Sequence, residues 1–341
     1  MARSFFIVLG LCVLAACGAG TPVTSGTPTP PPTPPPAFTA QYPVPTASSD
    51  PAGIALGADG NLWFTEFNKS KIGQLNRAGK ITDVVTPSAK AGPLSIASGS
   101  GPNLNLWFTE YNAAKIGQIT TGGPPYVEYT LPNKSARPYD IALGSDGNMW
   151  FTDRGTNTVW RVKRLNKKPF VEFTQYLLTG NAQPGTIANG PDGALWFTET
   201  GTNSIGRLPV SGSPLTEYRV PTAGSQPAGI VAANDGNLWF IEQHAKKLGR
   251  MAINGNVIAE YPLNNTQNPD QLVQGVDGNF YFTDPIGNKI GQFFFHTHQL
   301  RFFNSPTAKS GPSAMTIGLD AQIYLVESTG NKLAQFSYFN V

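Results

Sequence analysis

The chain predicts an all-β fold: a seven-bladed β-propeller of four-stranded blades. Three observations predict it. One phrase is written seven times, Pro-x-x-Ile, a short gap, Asp-Gly-Asn, then Leu-Trp-Phe-Thr-Glu, and it is clearest at 51–66. Its proline returns at Pro93, Pro138, Pro184, Pro227, Pro269 and Pro312, at spacings of 42, 45, 46, 43, 42 and 43 residues. A period of about 40–50 residues, filled with short strands and tight turns, is the mark of one propeller blade per repeat. The chain ends are also complementary. The last repeat stops one strand short, and a strand-like segment precedes the first repeat.

The N-terminus reads as a targeting segment. Arg3 gives a positive start and 5–13 is an apolar run too short to remain as a bilayer-spanning helix. Leu14-Ala15-Ala16-Cys17 is a lipobox, so 1–16 is expected to be a lipoprotein signal peptide removed before Cys17, whose thiol takes a lipid. Cys12 leaves with the leader, so no disulfide forms within the mature chain. Gly18 after the lipidated cysteine points to the outer membrane or cell surface rather than the inner membrane. The expected location is therefore exported and membrane-anchored. From Cys17 to residue 37 runs a tether with eight prolines between Thr21 and Ala37, including two Pro-Pro-Pro runs. Such a stretch adopts extended, semi-rigid polyproline II, at about 3.1 Å per residue. The propeller is expected to occupy 38–341.

Each repeat reads as strands a to d. In the first, strand a is 53–56, Asp59-Gly60 makes the turn, and strand b is 62–66. Strand c is 71–75, and strand d, the outermost, is 81–85. Strand b is apolar on both faces, as expected when neighbouring blades cover both. Its aromatic recurs as Trp63, Trp107, Trp150, Trp196, Trp239, Tyr281 and Tyr324. Packing between blades accounts for these rings, each contributing roughly 2–3 kcal/mol on burial. Segment 38–44 resembles a strand d and is expected to pair with the last blade. That closes the ring and leaves no open sheet edge.

Composition limits partners more than it names them. Charged residues make up 13% of the chain and the net charge is +3, which argues against nucleic acid. A monomer is expected. His296 and His298 fall on a c-to-d turn with no third ligand evident, so a surface turn is the reading. Arg161, Lys163, Arg164, Lys167 and Lys168 form a basic run placed at the c-to-d turn of the third blade. It reads as a solvated hairpin, with anionic lipid headgroups as the sharper alternative.

Chemistry is expected at the rim where the d-to-a and b-to-c loops meet. Every strand b ends in an acid there: Glu66, Glu110, Asp153, Glu199, Glu242, Asp284 and Glu327. Seven acids could ring a cation, but a position shared by all blades fits loop capping better. The residues that break the symmetry are the better candidates. Tyr139, Asp140, Arg137 and Arg154 cluster on the third blade, Glu242, Gln243 and His244 on the fifth, and Asp270, Gln271 and Asp284 on the sixth. Such a mouth suits a polar small molecule, a glycan or a peptide.

The repeat, with its Asn-Lys-Ile-Gly on strand c, resembles the virginiamycin B lyase family over essentially all of 38–341. The resemblance implies a seven-bladed propeller. It also implies a lyase that opens cyclic type B streptogramins by elimination, with a histidine base and Mg²⁺ at the mouth. In that family the last blade reads Glu-Pro-His-Gly-Ile, which supplies a metal-binding glutamate and the catalytic histidine. Here the stretch is Gly311-Pro312-Ser313-Ala314-Met315. The family's second histidine, after the proline of the penultimate blade, is Asp270 here, and only Glu327 matches the second metal-binding glutamate. His244 is the remaining histidine near the mouth. The expectation is therefore a lipid-anchored propeller that binds a polar ligand or partner at its mouth. The alternative is a Mg²⁺-dependent carbon–oxygen lyase using Glu327, Asp284 and His244.

Overall fold

The computed structural model describes residues 35–100, 105–168 and 170–338. The expected leader, Cys17 and most of the tether lie outside the described residues. The described residues hold 28 strands, numbered β1–β28 in chain order, in seven four-stranded sheets. Blade 1 is β2 (Pro51–Leu56), β3 (Leu62–Glu66), β4 (Lys71–Leu75) and β5 (Ile81–Val85), paired antiparallel in that order. Blades 2–6 repeat this order. Blade 7 joins β26 (Pro312–Ile317), β27 (Ile323–Glu327) and β28 (Lys332–Ser337) to β1 (Ala37–Pro43). Phe38 lies opposite Phe336, Gln41 opposite Ala334 and Pro43 opposite Lys332. The termini thus share one blade, as the complementary ends of the sequence predict.

The repeat phrase is explained position by position. The aromatic of strand b is buried between blades, with Trp107, Trp150, Trp196, Trp239 and Tyr281 at 1% exposure or less. In six blades its polar atom is satisfied by the aspartate of the preceding turn. Trp196 Nε1 donates to Asp192 at 2.9 Å, Trp150 to Asp146 at 3.1 Å, Trp239 to Asp235 at 3.1 Å, and Tyr324 Oη to Asp320 at 2.9 Å. The same carboxylate accepts from the amide two residues on, as Asp59 does from Asn61. So the Asp-Gly turn also terminates a buried hydrogen bond, which a buried indole requires. A strand-d tyrosine then covers the indole. Trp196 and Tyr218 stack at 5.7 Å, as do Trp239 and Tyr261.

The glycine of strand c has an equally local cause. A Cβ on Gly73, Gly117, Gly206, Gly249 or Gly291 would run into the ring of the adjacent strand-b phenylalanine. Blade 3 departs from the rule, with Trp160 there, stacked on Phe151 at 6.1 Å and 6°. Its Nε1 donates to Asp153 at 3.1 Å.

The basic run is placed slightly differently from expectation. Arg161, Lys163 and Arg164 belong to strand c of blade 3 (Thr158–Arg164), and only Lys167 and Lys168 sit on the turn. The run is exposed apart from Arg161, which reaches back over the Trp150 ring at 5.7 Å. His296 and His298 lie on the c-to-d turn of blade 6, where His298 stacks on Phe293. No helix among the described residues is long and apolar enough to cross a membrane.

Candidate functional site

The mouth is built by a bulge. In six blades the register of strand a shifts just after the repeat proline, for example between Pro51 and Ile54, Pro138 and Ile141, and Pro312 and Met315. A bulge leaves its extra residues unpaired and re-aims their side chains. In these six blades the two residues after the proline are thereby released from the ladder, whereas in blade 6 Asp270 N donates to Thr283 O and Gln271 O accepts from Thr283 N. The threonine of strand b holds this bulge. Thr65 Oγ1 accepts from Gly53 N at 2.8 Å and donates to Leu94 O of the next blade at 2.8 Å. Thr152 does the same between Asp140 N, at 3.2 Å, and Gly185 O, at 2.7 Å. These threonines, part of Leu-Trp-Phe-Thr-Glu, link neighbouring blades around the mouth.

Two cavities open among the released residues. One, about 410 Å³, lies among the innermost strands and is lined by Ala52, Leu94, Asp140, Asp270, Ser313 and Ser328, among others. The other, about 510 Å³, spreads over blades 3–6 between Tyr139, Arg154, Thr198, Gln226, Gln243 and Asp270. Tyr139 and Asp270 border both. Of the candidates read from the sequence, the structure brings Tyr139, Asp140, Arg154 and Asp270 together. His244 stands on an exposed b-to-c loop, its Nδ1 3.1 Å from Gly224 O, and lines neither cavity.

The charged groups are held differently. Arg154 sits over the Tyr139 ring, its Cζ 3.5 Å from the centroid, and its Nε donates to Pro184 O at 3.1 Å. Burial pushes the Tyr139 hydroxyl up, with the nearby guanidinium opposing. Asp140 is a staple between blades: it accepts from Ser95 Oγ at 2.5 Å and from Ile187 N at 2.8 Å. Burial raises its pKa, and these hydrogen bonds oppose the shift. Asp270 has one distant side-chain partner, Gln243 Nε2 at 3.5 Å. Burial pushes its carboxyl up to about 6, with Arg154 opposing.

The seven acids that end strand b do not face the mouth. All are fully buried. Asp284 caps its loop by accepting from Gln267 N, Asn268 N and Gly287 N, and Asp153 accepts from Arg137 N and Gly155 N. Glu66, Glu110, Glu199 and Glu242 share a blade with a second acid, Asp83, Glu128, Glu217 and Glu260, which lies opposite the strand-c glycine. Burial first, and these neighbouring negative charges as well, raise the four to about 7, 8, 7 and 7. Lys71, Lys115 and Lys247 pair instead with Asp83, Glu128 and Glu260, at 3.1, 2.6 and 2.8 Å. Glu242 and Asp284 therefore sit behind the mouth rather than in it.

The sequence profile of the virginiamycin B lyase family matches residues 161–338. A streptogramin B lyase structure is 30% identical, covers 88% of this chain and 97% of its own, and superposes with a TM-score of 0.80. The chain belongs to the virginiamycin B lyase family. Virginiamycin B lyase from Staphylococcus aureus is likewise 30% identical, with 87% and 98% coverage and a TM-score of 0.80. A catalytically inactive histidine-to-alanine variant of that enzyme, with quinupristin, matches equally well. The WD40 propeller domain of Doa1, at 9% identity and a TM-score of 0.71, shares the fold alone. A search of curated protein sequences found no match.

Set against this family, the last blade is the telling part of the mouth. Ser313, where the resemblance puts a histidine, pairs its Oγ with Ser328 Oγ at 2.7 Å. Gly311, where it puts a metal-binding glutamate, has no side chain to offer. Glu327 is fully buried, with Oε2 accepting from Gln41 at 2.8 Å and Oε1 from Ser305. Among the described residues no group of three or more His, Cys, Asp or Glu side chains is placed to hold a metal. The residues present do not fit the Mg²⁺ that the family implies, and no step is derived through it.

Proposed function

We propose that this propeller is an exported, Cys17-anchored member of the virginiamycin B lyase family that binds a polar ligand at its mouth. The observation that carries the binding reading is the contrast within the mouth. A roomy polar cavity persists on blades 3–6, while blade 7 offers two paired serine hydroxyls where a base would be needed. A serine hydroxyl has no proton-accepting power at neutral pH without an adjacent base, so it does not replace a histidine in proton abstraction.

Incubation of the purified protein with a type B streptogramin and Mg²⁺ tests this. Elimination opens the ring without adding water, so the product is a new chromatographic peak of unchanged mass. The substrate is expected to survive, while ligand screens by thermal shift report binding. The second reading, carbon–oxygen lyase action on cyclic peptide lactone antibiotics, is favoured by the 30% identity to streptogramin B lyase over nearly the whole propeller. A ring-opened product from the wild-type protein would establish it. For the anchor, Cys17→Ser is expected to move the protein from the membrane fraction to the soluble fraction. Unchanged membrane association in Cys17→Ser would refute lipidation at that residue.

A further inference from the structure

We propose that the cavity on blades 3–6 takes a saccharide carrying a single carboxylate, with Arg154 binding the carboxylate and Asp270 accepting from a hydroxyl. The inference rests on the reading of the mouth as a polar-ligand site and narrows it to one class.

Arg154 is a prepared anion donor. Its Nε is held by Pro184 O and its Cζ sits over the Tyr139 ring, while its terminal nitrogens make no hydrogen bond among the described residues. A guanidinium fixed in this way loses little freedom when it binds, and its planar fork suits a carboxylate bidentately. Among the described residues Asp270 is the only acid lining the same cavity, and no ion pair joins it to Arg154. Its carboxylate is left with a single partner at the limit of hydrogen-bond length. One cation facing one acid tolerates a monoanion. A dianion such as a phosphate monoester would set its second charge against Asp270.

Between these two groups the lining is neutral and doubly functional. Gln183, Gln226 and Gln271 offer amides, and Thr186, Thr198 and Thr200 offer hydroxyls. The amides both donate and accept, while the Thr186 and Thr200 hydroxyls, already donating to Ala228 O and Gln183 O, remain acceptors for ligand hydroxyls. Pro227 and Ala228 are the main apolar side chains, too little to seat the side chains of a peptide. A volume of about 510 Å³ is in the range of small-molecule sites.

The test is an NMR titration with D-glucuronate and D-galacturonate beside their neutral parents, D-glucose and D-galactose. The acids are expected to bind about tenfold more tightly than the neutral sugars, the measure of one charge-assisted bidentate pair. Arg154→Gln is expected to remove that advantage, so that the acids bind no more tightly than the neutral sugars. A measurement on the wild-type protein guards against a folding defect in the variant. Affinity for the acids should fall as salt is raised, and that for the neutral sugars should not. Equal binding of acid and neutral sugars overturns the inference but leaves the polar-ligand reading standing, as does peptide binding without sugar binding. No binding of sugars or peptides overturns both.

Discussion

The two sides of the mouth are built on one repeat and have diverged in opposite ways. On blades 3–6 the positions after the repeat proline hold Tyr139, Asp140 and Asp270, with Arg154 close behind. On blades 7, 1 and 2 the corresponding positions hold Ser313, Ala52 and Leu94, which are small or apolar. The backbone device is the same on both sides: a proline, a bulge and, in most blades, a buried threonine. The difference teaches which positions are free to vary. Those that hold neighbouring blades together are locked by contacts on two blades. Among those released by the bulge, Asp140 is likewise tied to two neighbouring blades, while Ala52, Leu94, Tyr139 and Ser313 line the cavity and are freer to change.

That division can be broken most forcefully at a shared position. Trp196→Ala removes a fully buried ring packed between blades 4 and 5 and is expected to cost about 3–5 kcal/mol in urea denaturation. Ligand binding should fail with it, although Trp196 lines neither cavity. A loss below about 1 kcal/mol would mean that the repeated aromatic is not the scaffold described here.

The paired acids predict how the scaffold responds to pH. Below about pH 4.5, Glu66, Glu110, Glu199 and Glu242 are protonated whether the chain is folded or not. As pH rises from there, the unfolded chain releases these protons while the folded chain holds them to about 7–8. Stability from these groups is therefore lost between about pH 4.5 and 8. The melting temperature should fall across that window, and Glu110→Gln should flatten the fall. A melting temperature that rises steadily to pH 8 would refute the upward shift of these buried acids.

Smaller effects sharpen the comparison. Thr152→Val keeps the shape but leaves Asp140 N and Gly185 O without their bridge, at about 1–3 kcal/mol. Arg154→Gln, on the variable side, is expected to cost about 1 kcal/mol or less, since it loses only a cation–π contact and one hydrogen bond. If Arg154→Gln proved the more destabilising of the two, the guanidinium would be part of the scaffold and not of a ligand site.

Much of the fold was legible because the repeat is written at the level of single residues. The seven prolines, the strand-b phrase and the missing last strand led directly to seven blades closed by β1. The mouth was legible only in part. Tyr139, Asp140, Arg154 and Asp270 stand out as departures from the repeat, and the structure gathers them. Glu242, Asp284 and Glu327 have the same loop-end position, but strand b carries their side chains inward, to full burial. Sequence spacing places a residue at a rim without saying whether it faces the cavity or the blade. The role of the threonine was missed because its two partners, an amide and a carbonyl on different blades, leave no trace in residue type. The aspartate of the turn was read as a turn former alone. Its four-residue spacing from the strand-b Trp or Tyr in six of the seven repeats was the available signal.

The closing strand has a mechanical consequence. Ala37 meets Ser337 at the rim of the a-to-b and c-to-d turns, and Pro43 meets Lys332 at the opposite rim, beside the mouth. Whatever precedes Ala37 joins the propeller at the end of β1 far from the ligand cavities. A pull applied upstream would part Ala37 from Ser337 first and travel rung by rung along the outermost ladder. Tension on the chain would then bear on the end of the strand opposite the mouth, and a firm tug would open the clasp of the ring before disturbing the residues that line the mouth.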